Sequence, residues 1–217
     1  MKIIRGIDQG TPEWFALRRG KPSASLFKTV MSKGDGRTRL LYELKGEHGG
    51  ADRATISSDA MRWGVETEPQ ARAVYELMSG NEVEQVAMVF RDDGMVLASP
   101  DGLVGASGGL EIKCPNTVTH LRYRDRPNMP SEYVAQVQGC LWVCEREWWD
   151  FVTFDPRLTK RPDWQYHCIR VYRDEAYIKT LAAEVERFVA ELLALLDDDD
   201  TVPGLDDIAV GIQEVEA

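Results

Sequence analysis

The feature that most restricts the fold of this chain is a pair of short apolar runs on either side of a glycine-rich stretch. The runs are MVLAS at 95–99 and LEIKC at 110–114, and the glycine-rich turn extends from Gly102 to Gly109. Short apolar runs bounded by turn residues are typical of strands. The sequence therefore predicts two strands that form a hairpin or a near-hairpin in the middle of the chain.

Charged side chains of this hairpin are spaced so that they can meet. Because successive side chains of a strand point to opposite faces, Glu111 and Lys113 share one face and Ile112 takes the other, buried face. Asp101, at the end of the preceding strand, can approach the same point. Converging carboxylates repel each other, and a hard cation such as Mg²⁺ is the usual reason to tolerate that. A lysine beside them can orient or deprotonate a water. A surface hairpin with an ordinary Glu-Lys pair is the alternative.

The excess of acidic residues lies at the C-terminal end of the chain. The formal charge is −10, but residues 174–217 hold 13 acidic and only 2 basic residues, whereas residues 1–72 hold 13 basic and 9 acidic residues. A positive face for DNA can form in the N-terminal part, so the composition permits DNA binding without indicating it. No apolar stretch is long enough for a membrane span, and the N-terminus lacks a signal-peptide core. We expect a cytoplasmic protein.

Four cysteines, Cys114, Cys140, Cys144 and Cys168, lack the spacing of a zinc site. Cys140 and Cys144 lie one helical turn apart and are predicted to be core residues. Reduced, buried thiols are typical of cytosolic proteins. The tryptophans, among them Trp164, are also predicted to pack in the core.

The N-terminal region contains a possible phosphate site. Thr11 and Pro12 predict the start of a helix that Gly20 ends, and a second helix is predicted to begin at Ser23 and Ser25. The first turn of a helix has backbone N–H groups without partners, which favours a phosphate there, and Arg18 could add a charge-assisted contact. The alternative is that the serines only cap the helix and Arg18 is a solvated surface residue.

The remaining patterns predict an α/β core with a central mixed sheet flanked by helices and a helical N-terminal layer. A polar loop is predicted at 32–38 and another at the arginines Arg122, Arg124 and Arg126. Pro69 either kinks the helix predicted at 58–78 or lies in the first turn of a second helix that begins near Glu68. The other predicted helices are 40–47, 133–143 and 174–196, and the other predicted strands are 84–90, 149–154 and 166–171.

Several separated motifs together resemble a known family. Pro-Asp at 100–101 followed by Glu-x-Lys at 111–113 resembles the signature of the PD-(D/E)xK nuclease superfamily. With WFALRRGKPSAS at 14–25, RWGVETEPQAR at 62–72 and YVAQVQGCLWV at 133–143, the chain resembles phage lambda exonuclease and the YqaJ-like viral recombinase family. The resemblance extends from about Trp14 to Val171 and implies a restriction-endonuclease-like fold. We expect a single nuclease domain over 1–217 in which 197–217 is an acidic, frayed tail.

The resemblance implies roles for individual residues at the hairpin. Asp101 and Glu111 would be metal ligands, together with the backbone carbonyl of Ile112. Lys113 would position the attacking water, and Gln136 would hold that arrangement. Glu68 would complete the acidic set, although Pro69 leaves its placement open. The implied cofactor is Mg²⁺, as two ions, with Mn²⁺ able to substitute.

A second set of residues matches the DNA-end site of the family. Arg18 and Ser25 fall where the family binds the 5′-phosphate, with Ser23 and Ser99 as weaker candidates. Met61 falls where the family has an apolar wedge that separates the terminal base pairs, and inserting such a side chain offsets the cost of unstacking. For Arg122, Arg124 and Arg126, phosphate contact and simple solvation both remain open.

The implied function is a Mg²⁺-dependent exonuclease that digests one strand of linear duplex DNA from its 5′ end. It would leave 3′ single strands for phage-type recombination by strand annealing. The implied partners are duplex ends with a 5′-phosphate, a single-strand annealing protein and two further copies of the chain in a trimeric ring. A bacterial host cytoplasm and a phage or prophage gene follow from the same resemblance. The alternatives are a structure-specific or site-specific endonuclease on the same fold and a catalytically silent module that binds DNA ends.

Overall fold

The computed structural model describes residues 1–52 and 58–196, which form an α/β fold with two sheets. The strands are β1 (Lys2–Ile4), β2 (Val83–Glu84), β3 (Met88–Phe90), β4 (Leu97–Ala98), β5 (Gly102–Val104), β6 (Gly108–Lys113), β7 (Trp148–Phe154) and β8 (Tyr166–Tyr172). The α-helices are α1 (Pro12–Arg18), α2 (Phe27–Val30), α3 (Asp35–His48), α4 (Asp59–Ser79), α5 (Thr117–Arg124), α6 (Val134–Val143) and α7 (Glu175–Leu195). Short 3₁₀ turns lie at Ala24–Leu26, Ser131–Tyr133 and Pro162–Trp164.

The larger sheet has five strands in the order β2-β5-β6-β7-β8 and is mixed. β6 and β7 are parallel, and the other neighbours are antiparallel. A parallel pair needs a crossover connection, and the segment between β6 and β7 supplies one that contains α5 and α6. The predicted α/β class with a central mixed sheet flanked by helices is therefore confirmed.

The two faces of this sheet carry different cores. On one face, Ala71 and Tyr75 of α4 pack with Ile112 and neighbouring apolar residues. On the other face, the core includes Trp149 and Phe151 of β7 together with residues of α2, α3, α6 and α7. Cys140 and Cys144 lie in this second core with free thiols, as predicted. Alternation along β6 places Glu111 and Lys113 on the face opposite Ile112, which is the face of the second core.

A smaller antiparallel sheet in the order β1-β3-β4 was not predicted as a separate unit. The strand expected at 84–90 is split, because β2 belongs to the larger sheet and β3 to the smaller one. The change of sheet is held by two hydrogen bonds at Ala87: its N–H donates to Ile4 at 2.9 Å, and its carbonyl accepts from Trp14 Nε1 at 3.0 Å. A continuous apolar run does not reveal such a change of partner.

The predicted hairpin partner of β6 is wrong. Residues 97–98 form β4 in the smaller sheet, whereas β6 pairs with β5, which lies inside the predicted glycine-rich turn. Gly102 is opposite Leu110 and Val104 is opposite Gly108, so the turn itself contains only residues 105–107.

Two of the glycines lie in β6 rather than in the turn, and tryptophan rings pack directly against them. A Cβ atom on Gly108 would lie 2.2 Å from Cζ2 of Trp148, and one on Gly109 would lie 2.2 Å from Cζ3 of Trp149. These residues are direct partners across β6 and β7. The glycines therefore serve close packing, which the sequence pattern could not distinguish from turn formation.

Replacing Gly109 with alanine is expected to lower the free energy of unfolding by about 1–3 kcal/mol, since the new methyl group would overlap the fully buried Trp149 ring. Urea denaturation of the two proteins measures the difference. The matched control is Gly64→Ala in α4, where a Cβ atom meets nothing within 4 Å. That variant should gain about 0.5–1 kcal/mol from helix propensity, and a loss equal to that of Gly109→Ala would contradict the packing explanation.

Helix α4 is continuous through Pro69, which settles the two alternatives left by the sequence in favour of one helix. Ser58 caps it by accepting a hydrogen bond from Met61 N, and Gly80 ends it in the left-handed conformation with φ +70°. Its buried residues, Thr67, Ala71 and Tyr75, follow the spacing of one helical face.

Two predicted loops are partly helical. α3 begins at Asp35 within the predicted loop 32–38, and Arg37 in its first turn makes two hydrogen bonds to Glu191 of α7 at 2.6 and 3.0 Å. Arg122 and Arg124 lie in the last turn of α5, which Asn116 caps by accepting from Thr119 N at 2.9 Å. α5 is also tied to a distant segment, because His120 contacts the carbonyl of Trp164 at 2.7 Å. Contacts with distant elements thus stabilise both helices, whose local patterns are weak.

The acidic tail predicted at 197–217 lies outside the described residues. Within residues 1–52 and 58–196, no helix combines the length and the apolar character that crossing a membrane requires.

Candidate active site

The carboxylate of Glu111 is held from two directions. Its Oε1 atom lies 2.5 Å from Lys113 Nζ and accepts a hydrogen bond of 2.6 Å from Gln136 Nε2. Glu111 is 1% exposed, and its other oxygen, Oε2, is buried without a hydrogen-bond partner. Buried carboxylate oxygens normally have partners. The arrangement therefore fixes one oxygen and leaves the second available for a further group.

Asp101 lies between β4 and β5 and reaches the open edge of β6. Its Oδ2 atom accepts a hydrogen bond of 2.6 Å from Ile112 N. β5 pairs with β6 only as far as Leu110, so the strand edge beyond that residue faces Asp101. Because the N–H and C=O groups of one strand residue point to the same side, the carbonyl of Ile112 faces Asp101 as well. Two oxygens that can bind a metal ion, from the carboxylate of Asp101 and the carbonyl of Ile112, thus lie at this edge.

Electrostatic repulsion accompanies this arrangement. Burial raises the pKa of Asp101 well above its usual range, and the charges of Glu111 and Glu68 raise it further. Burial also raises the pKa of Glu68; the nearby Arg72 opposes this effect, whereas Glu111 adds to it. Glu68 is paired with Arg72, which also donates to the carbonyl of Asp101 at 3.2 Å. Three acidic side chains therefore share one region at the end of the sheet.

The donor set fits a hard divalent cation. No three His, Cys, Asp or Glu side chains in the described part of the chain already converge as a metal cluster. Two of the acidic side chains are in ion pairs, because Lys113 contacts Glu111 and Arg72 contacts Glu68. The unpartnered Oε2 of Glu111 and the raised pKa of Asp101 are both features that a bound cation would relieve. Carboxylate and carbonyl oxygens are the ligands that Mg²⁺ prefers.

A second polar cluster contains all four residues predicted to bind a 5′-phosphate. Arg18 donates to Ser99 Oγ at 2.6 Å and to Ser23 Oγ at 3.0 Å, and the hydroxyls of Ser23 and Ser25 are 3.1 Å apart. We call Arg18, Ser23, Ser25 and Ser99 the arginine-serine cluster. The guanidinium lies over the Trp14 ring at 4.2 Å from its centroid. Ser23 makes no helix-capping hydrogen bond, so the alternative that it only caps the helix is wrong.

The two clusters are joined by a single short segment. Ser99 belongs to the arginine-serine cluster and Asp101 to the carboxylates, so only Pro100 separates them. Two residues span at most about 7 Å along the chain. Gln9 holds this segment by donating to the carbonyl of Pro100 at 2.9 Å and to that of Val86 at 3.2 Å. An anion at one cluster would thus lie close to the other.

Among the described residues, no hydrogen bond joins Met61, Arg122, Arg124 or Arg126 to either cluster. Met61 is in the first turn of α4 and is 53% exposed, which leaves its apolar side chain accessible. Arg122 and Arg124 end α5, and Arg126 follows that helix.

The sequence reasoning missed three residues of the site. Arg72 binds Glu68, Trp14 supports Arg18, and the Tyr133 ring lies 5.2 Å from Lys113 Nζ. The spacing of Glu68 and Arg72, four residues apart on a helix, was a usable signal for the first of these. No comparable signal marked Tyr133.

Several solved structures are similar to this chain. The chain is 42% identical to LHK-Exo in a crystal structure with dAMP, with a TM-score of 0.79, over 85% of this chain and 93% of that one. A second structure, described as an alkaline exonuclease (LHK-Exo) from Laribacter hongkongensis, is 41% identical with the same TM-score and coverage. A phage-related exonuclease from Haemophilus somnus 129PT is 16% identical with a TM-score of 0.63 over 80% of this chain and 95% of that one, a likeness of fold alone.

Sequence comparison agrees with the structural one. ExoD of Escherichia coli (strain K12) is 31% identical over 62 residues, which cover 29% of this chain and 68% of that protein. The YqaJ-like viral recombinase domain matches residues 13–147. That range is more than half of the 217 residues and includes Arg18, Asp101, Glu111 and Gln136. The chain therefore belongs to the YqaJ-like viral recombinase domain family, and the predicted resemblance is confirmed.

Proposed function

We propose that this protein is a metal-dependent exonuclease that digests one strand of linear duplex DNA from its 5′ end and leaves a 3′ single strand. The observation that carries the proposal is the short segment from Ser99 to Asp101, which joins the arginine-serine cluster to the carboxylates beside Lys113. The 42% identity to LHK-Exo, described as an alkaline exonuclease, supports a nuclease role.

Lys113 is suited to orienting the attacking water rather than deprotonating it. Burial alone would lower the pKa of Lys113, but the charges of Glu111 and Asp101 outweigh burial, so the pKa is raised. The ammonium group therefore keeps its protons and can donate to a water or to the scissile phosphate. Gln136 keeps Glu111 in place, and Tyr133 lies beside the lysine.

The groups that would hold Mg²⁺ are the carboxylates of Asp101, Glu111 and Glu68 and the carbonyl of Ile112. Two ions would be accommodated, and Mn²⁺ would substitute because it prefers the same oxygen ligands. When bound, divalent ions lower the pKa of the attacking water and stabilise charge on the departing oxygen. The protein contributes the fixed oxygens, the amine beside them and a largely buried setting.

The arginine-serine cluster would bind the terminal phosphate and thereby select the 5′ end. Arg18 has two donors in a plane that match the oxygens of a phosphate, and in the structure they bond to Ser99 and Ser23. A phosphate would take over these donors and accept from the serine hydroxyls as well. Met61, exposed at the start of α4, would act as the apolar wedge against the terminal base pair.

By analogy with the family we also propose a trimeric ring, a single-strand annealing partner and a role in phage-type recombination in the cytoplasm of a bacterial host. Light scattering coupled to gel filtration tests the first of these, with a mass three times that of the chain as the expected result. A monomer that retains full activity would remove the ring from the proposal.

Digestion of end-labelled DNA tests the proposed function. From linear duplex we expect Mg²⁺-dependent release of a 5′ label and retention of a 3′ label on progressively shortened strands. A closed circular duplex should stay intact. Cleavage of the circle would indicate an endonuclease instead. Binding to duplex ends without any product would indicate a silent end-binding module, which the presence of Asp101, Glu111 and Lys113 argues against.

Replacing Arg18 with glutamine should abolish the preference for 5′-phosphorylated ends. Hydrogen bonds to charged groups contribute about 1.5–3 kcal/mol, so the wild type should digest phosphorylated ends about 10 to 100 times faster than 5′-hydroxyl ends. The ratio of the two initial rates is the measurement, and it should fall to near one in the variant. Arg19→Gln is the matched control, because Arg19 pairs with Asp52 outside the cluster. An unchanged ratio in Arg18→Gln would refute the phosphate site.

A further inference from the structure

Two arginines lie against one partly exposed tryptophan in the segment that connects β7 to β8. The guanidinium carbon of Arg161 is 4.0 Å and that of Arg124 is 5.2 Å from the centroid of the Trp164 ring. His120, which is fully buried in α5, contacts the carbonyl of Trp164 at 2.7 Å and ties this segment to the helix. The tryptophan predicted to lie in the core thus supports two surface cations.

Each of these arginines is paired with an exposed aspartate. Arg161 makes two hydrogen bonds to Asp163, at 3.0 and 2.6 Å, and Arg124 Nη1 lies 3.3 Å from Asp125 Oδ1. Hydrogen bonding from Arg161 lowers the pKa of Asp163, and the charge of Arg124 contributes to the same effect. A carboxylate presents its oxygens to a guanidinium much as a phosphate does. Solvent-exposed pairs contribute little to stability, so a phosphate can exchange with the aspartate at low cost.

Helix α5 and its contacts link this surface to the proposed active site. The helix begins four residues after Lys113 and is about 12 Å long. Near its end, the Tyr123 ring packs edge-on against Tyr133 at 6.1 Å, and Tyr133 in turn lies beside Lys113. The exposed guanidinium of Arg157 lies at the same end of the sheet and donates to the carbonyl of Pro115 at 2.9 Å.

We propose that Arg124 and Arg161 bind the phosphate backbone of the undigested duplex, with Asp125 and Asp163 holding the guanidinium groups until a phosphate displaces them. The inference rests on the proposed function, and it extends that function to a segment at 157–164 that lies outside the matched residues 13–147. The contacts are to backbone phosphates, so they carry no sequence preference. The stacked indole keeps both guanidinium groups oriented, so little side-chain freedom is lost on binding.

Duplex binding measured over a series of salt concentrations tests this proposal. Fluorescence anisotropy with a labelled blunt duplex, in a chelator that prevents digestion, yields the slope of log Kd against log salt concentration. Each phosphate contact contributes about 0.9 to that slope. Arg161→Gln should weaken binding and reduce the slope by about 0.9, and Arg124→Gln should do the same.

The aspartate variant gives the sharper readout. Asp163→Asn removes the competing carboxylate and should tighten duplex binding at low salt, an effect opposite in sign to that of Arg161→Gln. In the double variant the gain should disappear, because no guanidinium remains to be released. The matched control is Arg187→Gln in α7, where the arginine pairs with Glu184 and Glu191; its slope should equal that of the wild type.

The outcomes separate this inference from the proposed function. A wild type that digests duplex while Arg161→Gln keeps the full slope overturns the inference alone. Weaker binding of Asp163→Asn, or an effect seen only with single-stranded oligonucleotides, also overturns it. A wild type that neither binds nor digests duplex overturns the proposed function and, with it, this extension.

Discussion

Replacing Lys113 with alanine is expected to slow duplex digestion by about 10²–10³-fold, the usual cost of losing one preorganised donor at a reacting centre. The ammonium group is close to Glu111 and its pKa is raised, so its loss removes both a positive charge and the donor proposed to orient the attacking water. Binding to DNA ends should change little, because the arginine-serine cluster is untouched. Single-turnover digestion rates and anisotropy with the same duplex measure the two effects.

The control for this variant is Lys179→Ala on the exposed surface of α7, which should leave both quantities unchanged. Circular dichroism of Lys113→Ala should show an intact fold, so that a lost rate is not a lost structure. Undiminished digestion would remove the lysine from the mechanism. An equal loss of DNA affinity would mean that it acts in binding instead.

Replacing Asp101 with asparagine should abolish metal-dependent digestion and also stabilise the metal-free protein. The asparagine carbonyl can still accept the hydrogen bond from Ile112 N, while the partly buried charge near Glu111 and Glu68 is gone. We expect a gain of about 0.5–2 kcal/mol, the range that single stabilising substitutions commonly give. Denaturant unfolding in a chelator measures the gain, and Mg²⁺ should stabilise the wild type but not the variant.

The sign of the pH dependence follows from the raised pKa. A carboxyl group whose pKa is higher in the folded than in the unfolded protein contributes stability in acid, and that contribution is lost as the pH rises through the folded value. The advantage of Asp101→Asn should therefore be present at neutral pH and vanish in acid.

Asp92→Asn provides the opposite case, because a hydrogen bond from the N-terminal amine lowers the pKa of Asp92. Removing that carboxylate should cost stability at neutral pH rather than add it. The contrary result is a wild type that is more stable than Asp101→Asn at neutral pH without metal. It would show that the charge of Asp101 does not destabilise the folded protein.

The local chemistry of the candidate site was predictable, and the partners of its strands were not. Alternation along one strand was enough to place Glu111 and Lys113 on one face. The pairing of β6 was mispredicted because Gly108 and Gly109 read as turn residues, whereas their role is to admit the rings of Trp148 and Trp149. Those rings come from a strand about 40 residues later in the chain, beyond the reach of any local pattern.

The same limit explains why the first turn of α3 and the last turn of α5 were predicted as loops. The start of α3 is held by Arg37 and Glu191, which are 154 residues apart, and α5 buries His120 and Tyr123 rather than an aliphatic stripe. The motif order, by contrast, identified Arg18, Ser23, Ser25 and Ser99 as a group although three separate segments contribute them. Resemblance to a family carried this information where periodicity could not.

The interval between Ser99 and Asp101 has a consequence for the products. If Ser99 helps bind the end of a DNA strand and Asp101 helps hydrolyse it, the distance between the bound end and the cleaved bond is fixed. Gln9 contributes to this, because it donates a hydrogen bond to the carbonyl of Pro100 between them. Every fragment released would then have the same length, whatever its base sequence.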